Sequence, residues 1–243
     1  MRELKDQLVG LDPKFKYRGL NQTRIETFSD AVFAFTVTLV ALSSSVPETF
    51  EELKESFRDI IPFFLCAVLI VVIWYQHYMF FLRYGLQDLR TVVINTFLLF
   101  VLLIYVYPLK FLMTFLFELY FAIITDDFSR FKSQFAGIGD GSYLMTSYGL
   151  GASLIFLSLS LLYRHAYKRS EALGMGDYET FTTKISVQTN LLLSSIPALS
   201  AIMAVSGVNY IICGFIYMLY PPVMITFGRI VRRKSSVLFP END

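Results

Sequence analysis

The chain has 243 residues, of which 55% are hydrophobic, 16% aromatic and only 17% charged, with a formal net charge of +1. A soluble chain of this size cannot hide so much apolar surface in one core, so the composition points to an integral membrane protein. It excludes a disordered chain, a collagen-like repeat and a disulfide-rich secreted module, and the near-neutral charge gives no ground for nucleic-acid binding.

A helix crossing the hydrocarbon layer needs about 20 mostly apolar residues, and the gaps between charged residues locate the candidates. The first 24 residues are polar, so no cleavable signal peptide is expected and the first helix is its own insertion signal. Asp30 to Glu48 encloses 17 uncharged positions; extended inward through Thr27, this predicts a first helix over 25–46. Asp59 to Arg83 encloses 23, and Arg90 to Lys110 encloses 19, predicting spans over 60–82 and 91–112. The stretch 113–141 is rich in aromatic residues (Phe115, Phe117, Tyr120, Phe121, Phe128, Phe135) and is expected outside, along the membrane interface. Asp140 to Arg164 encloses 23, predicting a span over 142–163. Lys184 to Arg229 encloses 44, enough for two spans, 185–205 and 209–230, divided at Ser206-Gly207-Val208-Asn209, whose residues suit a turn.

The reading is therefore an all-α, polytopic, single six-helix transmembrane domain over 1–243. Barrel strands are excluded because the apolar runs are continuous and too long, and an open sheet in lipid would leave backbone groups unpaired. Pro108, Pro197, Pro221 and Pro222 fall in or near spans and are expected to kink them. Six spans put both termini on one side, and that side carries 16 of the 21 Lys and Arg residues. The excess orients both termini to the cytoplasm, in a multi-pass protein of the plasma membrane with lipid as its surroundings. Cys66 and Cys213 both lie near the outer ends of their spans, either as a bridge or as two small buried hydrophobes. The chain has no H-E-x-x-H or G-x-S-x-G string and only two histidines, His77 and His165. It is read as a non-enzyme without a cofactor.

Ionisable groups within the membrane are expensive and draw attention by their presence. Asp30 lies in the first span beyond Arg24, Trp74 and His77 in the second, and Asn95 in the third. At about 1.5 Å per residue, Asp30, His77 and Asn95 share a depth of about 8–9 Å from the flanking charges. They are expected to form one polar cluster, which the Trp74 indole N–H can join. The spacing of Arg24 and Asp30 does not favour a direct pair. The cluster either locks helices together, senses pH through His77, or takes part in ion or proton transfer.

Along the first span, Ala31, Phe35, Thr38, Leu42 and Ser45 recur at steps of four and three and form one stripe. It alternates bulky apolar with small hydroxylated side chains, as in a narrow pore shut by dewetting or a helix–helix interface. Acidic residues at the outer end of this span, Glu48, Glu51, Glu52 and Glu55, either concentrate cations or form a solvated loop.

The string Arg24-x-x-x-Phe28-Ser29-Asp30 at the opening of a first transmembrane helix resembles the signature of the endosomal/lysosomal potassium channel family. The bacterial members of that family have one six-helix unit. Trp74-x-x-His77 in the second span and Asn95 in the third resemble the same pattern. The resemblance implies a homotetramer around a central pore lined by the first helix, permeant to monovalent cations and modestly selective for potassium over sodium. It implies a threonine layer at Thr38, where potassium binds transiently as the one metal ion, and an apolar constriction at Phe35 or Leu42. It also implies that Arg24, Phe28, Ser29 and Asp30 anchor the first helix to the next two through Trp74, His77 and Asn95. A secondary transporter or a proton-permeable channel is the alternative; no internal repeat of the kind transporters carry is evident.

Overall fold

The computed structural model describes residues 11–42, 47–135 and 141–240. Its helices are α1 (Arg24–Leu42), α2 (Phe50–Tyr84), α3 (Leu89–Thr125), the short α4 (Ser129–Phe135), α5 (Ser142–Lys168), α6 (Asp177–Val205), α7 (Tyr210–Phe215) and α8 (Tyr220–Leu238). A 3₁₀ turn, Ile216–Leu219, joins α7 to α8, so Tyr210–Leu238 reads as one interrupted helix. Among the described residues, six helical stretches are long and apolar enough to cross a membrane: α1, α2, α3, α5, α6 and Tyr210–Leu238.

Local chemistry sets the helix ends. The Thr49 side chain accepts from Glu52 N–H at the start of α2, and Glu51 and Glu52 in the first turn suit the positive end of the helix. Asp88 caps α3 by accepting from Thr91 N–H (3.3 Å). Glu179 reaches back to Gly176 N–H (2.9 Å) at the start of α6. Gly85 ends α2 at φ +58°, a left-handed position, with its N–H returned to Phe81 O (2.8 Å). Pro221 and Pro222 stand at the first positions of α8, where a missing N–H costs nothing.

Two helices outrun the bilayer. The 35 residues of α2 span about 52 Å at about 1.5 Å per residue, against a hydrocarbon core of about 30 Å. Outside the membrane, α2 begins well before its apolar gap, and α3 continues to Thr125 before α4 folds back on it. The outer parts of α2 and α3 are joined by Arg58, which pairs with Glu118 (2.8 Å) and lies over the Phe121 ring (4.1 Å). Phe111, Phe115, Phe131 and Phe135 pack ring against ring between α3 and α4 at 5.1–5.5 Å.

Packing follows a chain of neighbours. α1 lies on α2 and α3, α3 bridges to α5, α5 pairs most extensively with α6, and the 3₁₀ turn and α8 lean on α6. Among the described residues, α1 makes no packing contact with α5, α6, α7 or α8. The α5–α6 seam is close because small hydroxyl residues line it: Ser194 Oγ donates to Ser153 O (2.9 Å), and the two hydroxyls meet at 3.1 Å. Phe80, Phe81, Leu98, Leu102, Ile155, Leu159 and Leu162 form the fully buried centre. Cys66 and Cys213 are buried and unbridged.

Candidate functional site

The first helix has two chemically different faces. Ser29, Phe33, Thr36 and Val40 are buried against α2 and α3. The opposite stripe, Ala31, Phe35, Thr38 and Leu42, is exposed, with Phe35 at 55% and Leu42 at 71%. Ser45, the predicted continuation of the stripe, lies outside the described residues. The threonines of both faces donate their protons to the carbonyl one turn earlier: Thr38 Oγ1 to Ala34 O (3.0 Å) and Thr36 Oγ1 to Val32 O (2.7 Å). With its proton committed to the helix, the Thr38 oxygen presents only lone pairs to whatever lies beyond the exposed face.

Two hydrogen-bond chains hold the buried face. In the first, His77 Nε2 meets Asn95 Oδ1 (2.7 Å), Asn95 Nδ2 donates to Ser29 Oγ (2.9 Å), and Ser29 Oγ donates to Ile25 O (2.8 Å). The direction is set from its end. The Ser29 proton goes to the backbone carbonyl, so Ser29 accepts from the Asn95 amide, and the Asn95 carbonyl accepts from His77 Nε2–H. One chain thereby ties α2, α3 and α1 together, and all three side chains are buried. In the second, Trp74 Nε1 donates to Asp30 Oδ1 (2.8 Å) and Gln22 Nε2 donates to Asp30 Oδ2 (3.2 Å). Ser29, rather than Asp30, is thus the α1 partner of Asn95, and Asp30 is the partner of Trp74. Phe33 and Phe81 pack on the His77 ring at 5.3 and 4.8 Å.

Arg24 and Phe28, the other residues of the motif, are exposed in the protomer, Phe28 at 61%. Among the described residues they are not part of either chain. Gln22 and Phe33 complete the anchor and carry no local sequence signal; the role of Phe33 follows from which side of α1 is turned inward, and that of the exposed Gln22 from the segment just before α1.

A strap precedes α1 and fixes where it begins. Arg18 N–H donates to Arg83 O (3.3 Å) and Gly19 N–H to Leu82 O (3.0 Å), which satisfies carbonyls left open at the end of α2. A Cβ on Gly19 would stand 2.1 Å from Phe81 O, so only glycine fits there. The Arg18 guanidinium pairs with both oxygens of Glu179 (2.9 Å each) and also donates to Leu173 O and Gly174 O. Tyr178 Oη donates to Asp12 Oδ2 (2.6 Å), and Phe15 is buried beneath Arg83. The strap therefore joins the start of α6 to the start of α1.

Between α2 and α3, Asp88 accepts from His165 Nε2 (2.8 Å) and Arg169 (3.1 Å). Burial alone would raise the Asp88 carboxyl, but hydrogen bonds from the Thr91 hydroxyl, His165 and the Thr91 amide outweigh it and hold the group down at about 2. At the start of α2, the Glu52 carboxylate also receives the Glu48 N–H (2.8 Å), so Glu52 takes part in the cap.

Comparison with known proteins adds relatives. A sequence model described as endosomal/lysosomal potassium channel TMEM175 matches residues 24–108, from the start of α1 to the proline within α3. A curated protein of Marivirga tractuosa named potassium channel is 53% identical over 254 residues, covering 99% of this chain and 100% of the relative. The crystal structure of a variant of the potassium channel MtTMEM175, in complex with a nanobody–MBP fusion protein, is similar with a TM-score of 0.82. It is 53% identical and covers 93% of this chain and 100% of that chain.

Proposed function

This chain belongs to the endosomal/lysosomal potassium channel TMEM175 family, and on that premise we propose that it conducts potassium along the exposed stripe of α1 in a homotetramer. The family is one of ion channels, not enzymes. The observation that carries the reading is the division of α1. One face is anchored by two hydrogen-bond chains, while Ala31, Phe35, Thr38 and Leu42 stand exposed in the protomer. Four copies of that face enclose a narrow, uncharged path. A ring of Thr38 oxygens replaces part of the water shell of potassium, which gives up water more cheaply than sodium, so selectivity is modest. Phe35 and Leu42 supply the apolar constrictions that close by dewetting. The basic excess on the side of the termini supports a cytoplasmic location for both in a cell membrane.

Accessibility to a charged thiol reagent tests the stripe. In a background with Cys66→Ser and Cys213→Ser, Thr38→Cys is expected to give potassium flux from liposomes that a cationic methanethiosulfonate blocks. Phe64→Cys, exposed on α2, is expected to give flux that the reagent leaves unchanged. Block at position 64 but not at 38 would move the path away from α1.

A further inference from the structure

At the far end of the packing order from α1, a groove of about 640 Å³ runs between the first half of α6 and the last turns of α8. Its walls include the apolar side chains Phe181, Ile185 and Val237, and its charged rim is Lys184, Arg233 and Lys234. The two walls are held together beside the groove, because the Phe239 ring meets Phe181 at 5.6 Å and Tyr178 at 5.2 Å, pinning the end of α8 to the start of α6. The three cations are exposed and, among the described residues, take part in no ion pair. The nearby carboxylate of Glu179 is already committed to Arg18, and α8 contains no acidic residue.

We propose that this groove binds an anionic phospholipid, its phosphate held by Lys184, Arg233 and Lys234 and an acyl chain laid along Phe181, Ile185 and Val237. Three observations select that occupant. Unpaired positive charge on three side chains complements a phosphate and repels an exposed quaternary amine. The apolar walls continue from the charged rim, as a headgroup continues into a chain. The groove also lies at the start of α6 and the end of α8, both in stretches long and apolar enough to cross a membrane, which on the proposed reading is the headgroup level, and basic pockets between transmembrane helices at that level are suited to anionic lipid. Its place at the lipid-facing periphery rests on the proposed assembly around α1, since among the described residues α8 packs only on α6 and the 3₁₀ turn.

The test is native mass spectrometry of the purified full chain titrated separately with dioctanoyl phosphatidylglycerol, dioctanoyl phosphatidylcholine and inorganic phosphate. Phosphatidylglycerol is expected to bind at least about tenfold more tightly than phosphatidylcholine, and inorganic phosphate to leave no retained adduct. The K184Q/R233Q/K234Q variant is expected to lose that preference, while R164Q/K168Q, which removes two cations of α5 on the same side, keeps it. Val237→Trp, which fills the groove and retains its charges, is expected to weaken phosphatidylglycerol binding if the triple variant does not fold. Equal binding of the two lipids, retention of phosphate alone, an equal loss in R164Q/K168Q, or undiminished binding in Val237→Trp would overturn the proposal. Binding is read without any current, so its failure would leave the channel reading standing, and failure of conduction would leave the binding result standing.

Discussion

Asn95 has both ends of its amide in use, one for His77 and one for Ser29, at the point where α1, α2 and α3 meet. Asn95→Leu keeps the volume but leaves the buried His77 N–H without its acceptor, and it takes the amide donor from Ser29 Oγ, which keeps its own bond to Ile25 O. The expected cost is about 1–3 kcal/mol for each group left unpaired, read as a Tm several degrees lower in detergent. Asp30→Ala is expected to act the same way by orphaning the Trp74 indole. Both are expected to harm folding or assembly more than selectivity; stable assemblies with altered reversal potentials would instead give these residues a direct part in permeation. The residue types of this anchor were legible in the sequence, and so was their shared depth. Which residue meets which was not, because depth is one coordinate and direction around the helix is the other. Ser29 and Asp30 differ by about 100° around α1, and only the packed structure assigns Asn95 to the first and Trp74 to the second. Asp88 supplies a pH prediction. Its carboxyl is held at about 2 in the fold, below its ordinary 3.8, so its contribution is present above pH 4 and lost as pH falls through about 2. Wild type is expected to melt above Asp88→Asn at neutral pH, with the two curves converging near pH 2.

At the scale of elements, gaps between charges locate the membrane-crossing parts because charge is costly in hydrocarbon. They say nothing of where a helix continues into water. Glu51, Glu52, Arg58 and Glu118 are as compatible with helix as with loop, so the outer lengths of α2 and α3 had no signature. The strap over 11–22 was equally silent: its partners, Glu179 and the last carbonyls of α2, are distant in sequence. Its dependence on Gly19 yields a sharp expectation. Gly19→Ala places a methyl group against the Phe81 carbonyl and is expected to release the strap, so that limited proteolysis cuts within 11–19 much faster than in wild type. An unchanged cleavage rate would mean that the strap does not hold the beginning of α1. Glu118→Ala is expected to destabilise the outer ends of α2 and α3 more than Arg130→Ala. Glu118 is only 3% exposed and faces Arg58 at 2.8 Å, whereas Arg130 stands 3.7 Å away.

For the whole molecule, the order of packing is a division of labour. α2 and α3 hold α1 by its inner face, α5 and α6 brace that group through α3 and the strap, and α8 closes the far side. The low charged fraction of the chain has a functional counterpart in this arrangement. The proposed path is neutral, and the few polar groups in the membrane position the helix that lines it. On the proposed reading, selectivity is expected to reside in the Thr38 layer of the assembly and to change without disturbing the anchor. The direct measurement is the bi-ionic reversal potential of the purified protein in a planar bilayer, with potassium on one side and sodium on the other, for wild type and Thr38→Ala. Wild type is expected to reverse at a potential showing a modest preference for potassium and Thr38→Ala to reverse closer to zero, whereas identical reversal potentials would contradict the account.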